Sequence, residues 1–211
     1  MYPEPIKQLI TLLTKLPGIG PRQATRFAFF LFRQDDAYVK SLAFALENVK
    51  ESVGFCRQCF RMMEQAGNPE QQFCGICRDP KRDQLLVAVV ERDSDVQNIE
   101  RTKDFHGVYH VLGGLISPLD PESPKRLHLR ELYARIKTVL DQQKNSEIIL
   151  ATGATTEGDT TALYIEQILK PLQEQHQTKL KISHLARGLS LGSDLEYADE
   201  VTLKNALENR K

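Results

Sequence analysis

All four cysteines of this chain fall in one short stretch, Cys56-x-x-Cys59 followed by Cys74-x-x-Cys77. Each C-x-x-C knuckle brings two thiolates to one tetrahedral ion, and the polar Gly- and Pro-containing segment between the knuckles can close the site. A secreted disulfide framework would spread its cysteines through a small chain, whereas here all 4 lie between positions 56 and 77 of 211. Four ordinary buried thiols or a redox dithiol are the competing readings, but both pairs are adjacent and no cysteine is left over. The spacing therefore predicts one structural Zn²⁺ in a closed site with no open coordination position, which folds the segment and performs no chemistry. The start, Met1-Tyr2-Pro3-Glu4-Pro5, carries no secretion signal, and no apolar run approaches a membrane span. The expectation is a soluble protein of the reducing cytoplasm.

The flanks of the cysteines differ. Residues 1–82 hold 12 Lys/Arg against 8 Asp/Glu, and residues 83–211 hold 16 against 20, so a neutral chain is mildly basic in its first part and acidic in its second. That balance permits a nucleic-acid face before the cysteines and an acidic or metal-binding face after them. In the first part, Ile6, Leu9, Ile10, Leu13 and Leu16 recur at helical spacing, as do Ala24, Phe27, Ala28, Leu31 and Phe32, and then positions 39, 42, 46, 49 and 53. After the cysteines the pattern changes. The apolar runs at 85–90, 108–112, 147–151 and 180–185 have strand length, and amphipathic segments near 95–103, 127–142 and 160–175 separate them. Alternating strands and helices predict a parallel α/β sheet covered on both faces, and Pro171 is expected to end or kink the last helix.

Between the first two helices lies Leu16-Pro17-Gly18-Ile19-Gly20-Pro21-Arg22-Gln23-Ala24-Thr25-Arg26. Two glycines around an apolar residue allow a tight turn, and the helix that follows aims its positive N-terminus at whatever sits there. Arg22 and Arg26 are four apart, hence on one helical face, which Arg33 continues. Helix, Gly-Ile-Gly, helix is the pattern of a helix-hairpin-helix module, which grips a DNA backbone without reading bases; an ordinary helical turn with a solvated basic face is the plainer reading. The expected contact is to sugar-phosphate, sequence-independent and salt-sensitive.

A third constellation is acidic. Glu91 follows the first strand run and opens Glu91-Arg92-Asp93-Ser94-Asp95, and Glu157-Gly158-Asp159 follows the run at 147–151. In an open parallel sheet ligands sit beyond the carboxyl ends of strands, so both groups are expected at one edge. A glutamate after one strand and an acid-x-acid pair after a later one is the layout of a Toprim domain, in which carboxylates hold Mg²⁺ near a phosphodiester. Solvated loop carboxylates are the alternative. His110 reads as a hydrogen-bonded structural histidine, His106, His128, His176 and His184 have no metal spacing, and Gly188 to Gly192 is too degenerate for a phosphate loop.

Taken in order, these pieces resemble the RecR family of bacterial recombination mediators. The likeness runs over the hairpin Leu16 to Arg26, both cysteine knuckles, Val89-Val90-Glu91, Tyr109-His110-Val111-Leu112-Gly113-Gly114, Ile116-Ser117-Pro118-Leu119-Asp120, Ile148 to Thr152, Glu157-Gly158-Asp159 and Gly192 to Leu203. It implies an α/β multidomain chain: a helical helix-hairpin-helix domain over 1–54, a Cys₄ zinc finger over 55–80, a Toprim domain with a parallel sheet over 81–186, and a C-terminal Walker-B-like segment and helix over 187–211. It implies a non-enzymatic function. Family members form dimers paired into a tetrameric ring that clamps DNA, single- or double-stranded, and act with RecO, and sometimes RecF, to load RecA on gapped DNA coated by SSB. Matching the family's positions, Arg22 and Arg26 would bind DNA, and Glu91, Asp95, Glu157 and Asp159 would form the acidic Toprim site, serving a partner or Mg²⁺. The resemblance also implies a bacterial cytoplasm with association to the nucleoid. No GxxxxGK[ST] loop seats ATP hydrolysis. Two departures stand out: Gly153-Ala154 replaces Asn-Pro, and Pro121 replaces Gly. The rival readings are a small Mg²⁺-dependent Toprim nuclease and a zinc-stabilised binding module with no ring.

Overall fold

A computed structural model of the chain describes residues 2–65, 72–176, 179–186, 196, 198 and 200–208. The chain forms two compact units, 1–53 and 54–211. In the first, α1 (Glu4–Leu13), α2 (Pro21–Phe32) and α3 (Asp36–Ser52) follow one another. α1 ends earlier than its apolar pattern suggests, because the Thr14 hydroxyl caps Ile10 O and the chain tightens through Leu16 N–H to Leu13 O and Ile19 N–H to Leu16 O. Gly18 then takes φ +76°, a left-handed turn that a side chain would resist. Ala24 and Ala28 are the fully buried positions of α2, small enough for α1 to approach closely. α3 starts at its Asp35 cap, whose carboxylate accepts from Tyr38 N–H, and buries none of its residues.

From the last residue of the first unit into the second run the three-residue strand β1 (Val53–Phe55), then β2 (Met62–Glu64), which pairs with it, and the one-turn helix α4 (Gly75–Arg78). The sheet follows: β3 (Asp83–Val90), α5 (Asp93–Thr102), β4 (Gly107–Val111), a 3₁₀ turn (Ser123–Arg126), α6 (Leu129–Asp141), β5 (Ser146–Ala151), α7 (Thr156–His176) and β6 (Leu180–His184). The four strands run in the order β4-β3-β5-β6 and every pairing is parallel, with Val90 opposite both Val111 and Ala151. Period-two alternation divides β3 between two cores. Val87 and Val89 face a cluster with Val108, Leu112, Leu132, Ile136, Ile148 and Ile165, under α6 and α7; Ala88 and Val90 face Val96, Tyr109 and Val111, under α5. An arginine fork pins the second face: Arg82 Nη1 and Nη2 grip the two oxygens of Glu100 at 2.8 and 2.5 Å, and Tyr109 Oη donates to Glu100 at 2.6 Å. The Arg82 guanidinium holds the Glu100 carboxyl below the usual carboxylate range. Among the described residues no helix is long and apolar enough to cross a membrane.

Two expectations are revised. Of the two outcomes expected at Pro171, an end to the helix does not occur: α7 continues to His176. α7 also begins at Thr156 rather than near 160, so Glu157 and Asp159 lie in its first turn and not on a loop. Thr155 fixes that start: its Oγ1 accepts from Gly158 N–H at 3.1 Å, and its own N–H donates to Gly153 O at 2.9 Å. α8 (Glu200–Glu208) lies in the C-terminal stretch; the Gly188 to Gly192 run, Tyr197 and most of the Walker-B-like segment lie outside the described residues.

Gly158 is buried where the first turn of α7 folds back on Gly153 O, and a Cβ there would run into that backbone carbonyl. Gly158→Ala is expected to destabilise the second unit by about 1–3 kcal/mol, read as a lowered urea midpoint with unchanged metal content.

Candidate functional site

The cysteines converge as their spacing predicts. Cys56, Cys59, Cys74 and Cys77 are buried, and their four sulfurs lie within 4.8 Å of one another. Cys59 Sγ and Cys74 Sγ are 3.6 Å apart, close to the roughly 3.8 Å between sulfurs of a tetrahedral site with Zn–S near 2.3 Å. Cys74 N–H donates to Cys56 Sγ at 3.3 Å and Cys77 N–H to Cys74 Sγ at 3.5 Å, which is how backbone favours thiolate over thiol. The hydrogen bond with Cys59 holds the Cys56 thiol well below its ordinary range, and the one with Cys56 pushes Cys77 far above it. Four thiols so close cannot all ionise against one another, but they can around a dication. The donor set fits a closed structural metal site, with these four residues as its ligands.

The hairpin they tie is docked on the sheet. β4 is an edge strand, and its outward groups at Tyr109 and Val111 are both taken: Val111 N–H donates to Cys59 O, and Arg135 Nη1 on α6 donates to Tyr109 O, each at 2.8 Å. Arg135 Nη1 also reaches Gln58 O at 3.4 Å. Gln58 and Gln84 join side chains at 3.2 Å, and Asp93 at the start of α5 accepts from Met62 N–H at 2.6 Å while pairing with Arg61 at 3.3 Å. Phe60, with φ +62°, stacks on His128 with ring centroids 4.1 Å apart. His110 is buried, with Nε2 bonded to His128 O at 2.7 Å, and burial pulls it down to about 3, so it stays neutral. The structural reading of this histidine agrees.

In the helical unit, Gly20 precedes α2 in an extended conformation with no side chain to cap the helix, and Pro21 occupies its first turn. The amides of Arg22 and Gln23 are therefore left for an outside acceptor. Arg22, Arg26 and Arg33 are exposed, and with Tyr2, Phe29, Phe30 and Gln34 they line an open cavity of about 510 Å³. No carboxylate lines it, and among the described residues none of the three arginines is in an ion pair.

The acidic residues share one edge but do not form one ligand set. Glu91 follows β3 and Glu157 follows β5, neighbours whose C-terminal ends are in register at Val90 and Ala151. Yet Glu91 pairs with Arg92 at 2.6 Å, and Asp95 accepts from Arg92 N–H at 2.8 Å as a helix cap. Glu157 and Asp159 are exposed in the first turn of α7, where a helix dipole favours negative charge. Among the described residues, the cysteines are the one group of three or more such side chains close enough to share an ion.

Comparison with known proteins agrees with this architecture. The family described as RecR, helix-hairpin-helix matches residues 6–50, the Toprim domain matches 86–186, and RecR, C-terminal matches 188–211. Recombination protein RecR of Cutibacterium acnes is 45% identical over 210 residues, covering 100% of this chain and 96% of that protein. The RecR proteins of Frankia alni and Synechococcus elongatus are 46% and 42% identical over 211 residues, each covering 100% of this chain and 98% of its own length. The chain belongs to the RecR family.

Both departures from the RecR pattern are accommodated. Pro121 follows Asp120 in a turn closed by Ser123 N–H to Asp120 O at 3.0 Å, where its fixed φ suits the second position. Gly153 offers its carbonyl to Thr155 N–H, and a side chain at this position would meet open space. Sequence reasoning missed Asp93, Arg61 and Arg135, which hold the hairpin to the sheet. The Asp-x-x start of α5 was the available signal for Asp93; nothing in the local pattern marks Arg135.

If the cysteines hold zinc, freshly purified protein carries one zinc per chain, and Cys74→Ser loses it and opens residues 55–80 to protease. Elemental analysis reading near zero in unchelated wild type would refute the assignment.

Proposed function

We propose that this RecR-family chain is a non-enzymatic DNA-binding mediator of recombinational repair that closes into a ring-like clamp. In this reading it acts with RecO, and with RecF in some settings, to promote RecA loading on SSB-coated gapped DNA in the cytoplasm. The observation that carries it is the pairing of a cation-lined, acid-free groove with a helix made for burial but left bare. On α3, Val39, Leu42, Leu46 and Val49, the positions of its apolar repeat, are 41, 38, 66 and 59% exposed. A second copy of the chain would cover that face at about 25 cal/mol per Å² of apolar surface, and the dimer-to-tetramer assembly of the family resemblance supplies that copy.

Arg22 and Arg26 contact sugar-phosphate in this proposal, with the uncapped start of α2 offering amides to the same phosphate. The zinc finger is structural. The proposed domains are 1–54, 55–80, 81–186 and 187–211. Glu91, Asp95, Glu157 and Asp159 form an acidic edge for a protein partner; the ion pair of Glu91 with Arg92 and the capping role of Asp95 favour this over a Mg²⁺ nuclease.

Three experiments test the proposal. Binding to circular against linear DNA asks whether the protein encircles its ligand: retention on closed circles and escape from linear ends is expected, and equal escape from both contradicts the clamp. In a salt titration on two unrelated sequences, Arg22→Ala with Arg26→Ala should weaken both equally and lower the log-log slope by about one unit per lost phosphate contact. An unchanged slope contradicts the hairpin assignment. Alanine at Glu91, Glu157 and Asp159 should impair RecO-dependent loading while zinc content and fold persist; Mg²⁺-dependent DNA cleavage abolished by Glu91→Ala would establish the nuclease instead.

A further inference from the structure

Four thiolates around a dication carry a net double negative charge, and a buried charge of that size needs a compensating cation. Arg61, two residues after the second cysteine of the first knuckle, is neutralised by Asp93. Arg57 and Arg78, beside the knuckles, are exposed to solvent. Arg135 differs from all three. It projects from α6 between the buried Leu132 and Ile136, and its Nη2 is sealed from solvent with no hydrogen-bond partner. Its Nη1 bonds only to neutral carbonyls, Tyr109 O and Gln58 O. Among the described residues it has no carboxylate partner. Burial works against its charge, and the cysteine sulfurs work the other way; its Nη1 reaches the Gln58 carbonyl, in the peptide between Cys56 and Cys59. A buried guanidinium with no acid beside it is unstable unless something nearby is negative.

We infer that Arg135 is the counter-cation of the metal-loaded tetrathiolate, a positioning residue that couples metal binding to docking of the zinc hairpin on the edge of the Toprim sheet. One fork atom holds the peptide between Cys56 and Cys59 and the outward carbonyl of β4 together, and the charge it brings is matched only when the cysteines are ionised around the metal. Loss of metal leaves this cation uncompensated as well as the hairpin untied. The inference rests on the Cys₄ reading, and wild-type zinc content separates failure of that reading from failure of this one.

The test is zinc affinity of the full chain, by competition with a chromophoric chelator, for wild type, Arg135→Gln and Arg135→Lys, with circular dichroism of the zinc-loaded proteins as the fold control. Arg135→Gln keeps a donor for the carbonyls and drops the charge, and should weaken zinc binding about 10–100-fold. Arg135→Lys keeps the charge and should retain most of the affinity. In a Cys77→His background, which still offers four ligands but one negative charge fewer, the Arg135→Gln loss should shrink. Wild-type affinity in Arg135→Gln, equal weakness in Arg135→Lys, or an undiminished loss in the histidine background overturns the inference. Should Arg135→Gln not accumulate folded, Arg135→Lys decides alone: zinc retained supports it and zinc lost overturns it.

Discussion

The second unit depends on how the free edge of β4 is closed. A parallel sheet ending in an edge strand presents unpaired amides and carbonyls, a template for unwanted pairing. Here the Cys59 carbonyl takes the Val111 amide and Arg135 takes the Tyr109 carbonyl. The hairpin that supplies this cover has two strands of three residues, far too little to stand alone. Its core is the four cysteines and Met63. The cysteine cluster is thus the core of the element that covers the free edge of the sheet.

The same economy governs the helical unit. With Ala24 and Ala28 as the buried residues of α2 and none buried on α1 or α3, it has little interior of its own. Apolar area left outside so small a unit is burial still available to a partner surface, and any partner that covers it would also stabilise the unit. In the proposed clamp, modest backbone contacts from several subunits would add up, so that grip follows from their number and not from any strong single contact.

What the sequence disclosed, and what it hid, divides by range. The cysteine knuckles, the Gly18 turn and the β3 and β5 runs were legible because each is set by residues close in the chain. Apolar periodicity begins only at 160 and leaves Glu157 and Asp159 on a loop, whereas the Thr155 side chain starts the helix four residues earlier. A proline can end or kink a helix; at Pro171 the helix does not end, because packing of Leu169 and Leu172 in the core outweighs the hydrogen bond it removes. Asp93 and Arg135 do their work across 31 and 77 residues, to Met62 and Gln58. No local pattern encodes such contacts. The RecR resemblance reached the fold and function through joint order, which periodicity alone could not supply.

The most direct measurement of the central claim is amide hydrogen exchange along β4 in metal-loaded and chelated protein. If the metal-tied hairpin closes the sheet, the Val111 amide is protected with metal and exchanges freely without it, while Val89 and Ile149 at the sheet centre stay protected in both. Protection of Val111 that survives removal of the metal would contradict the account.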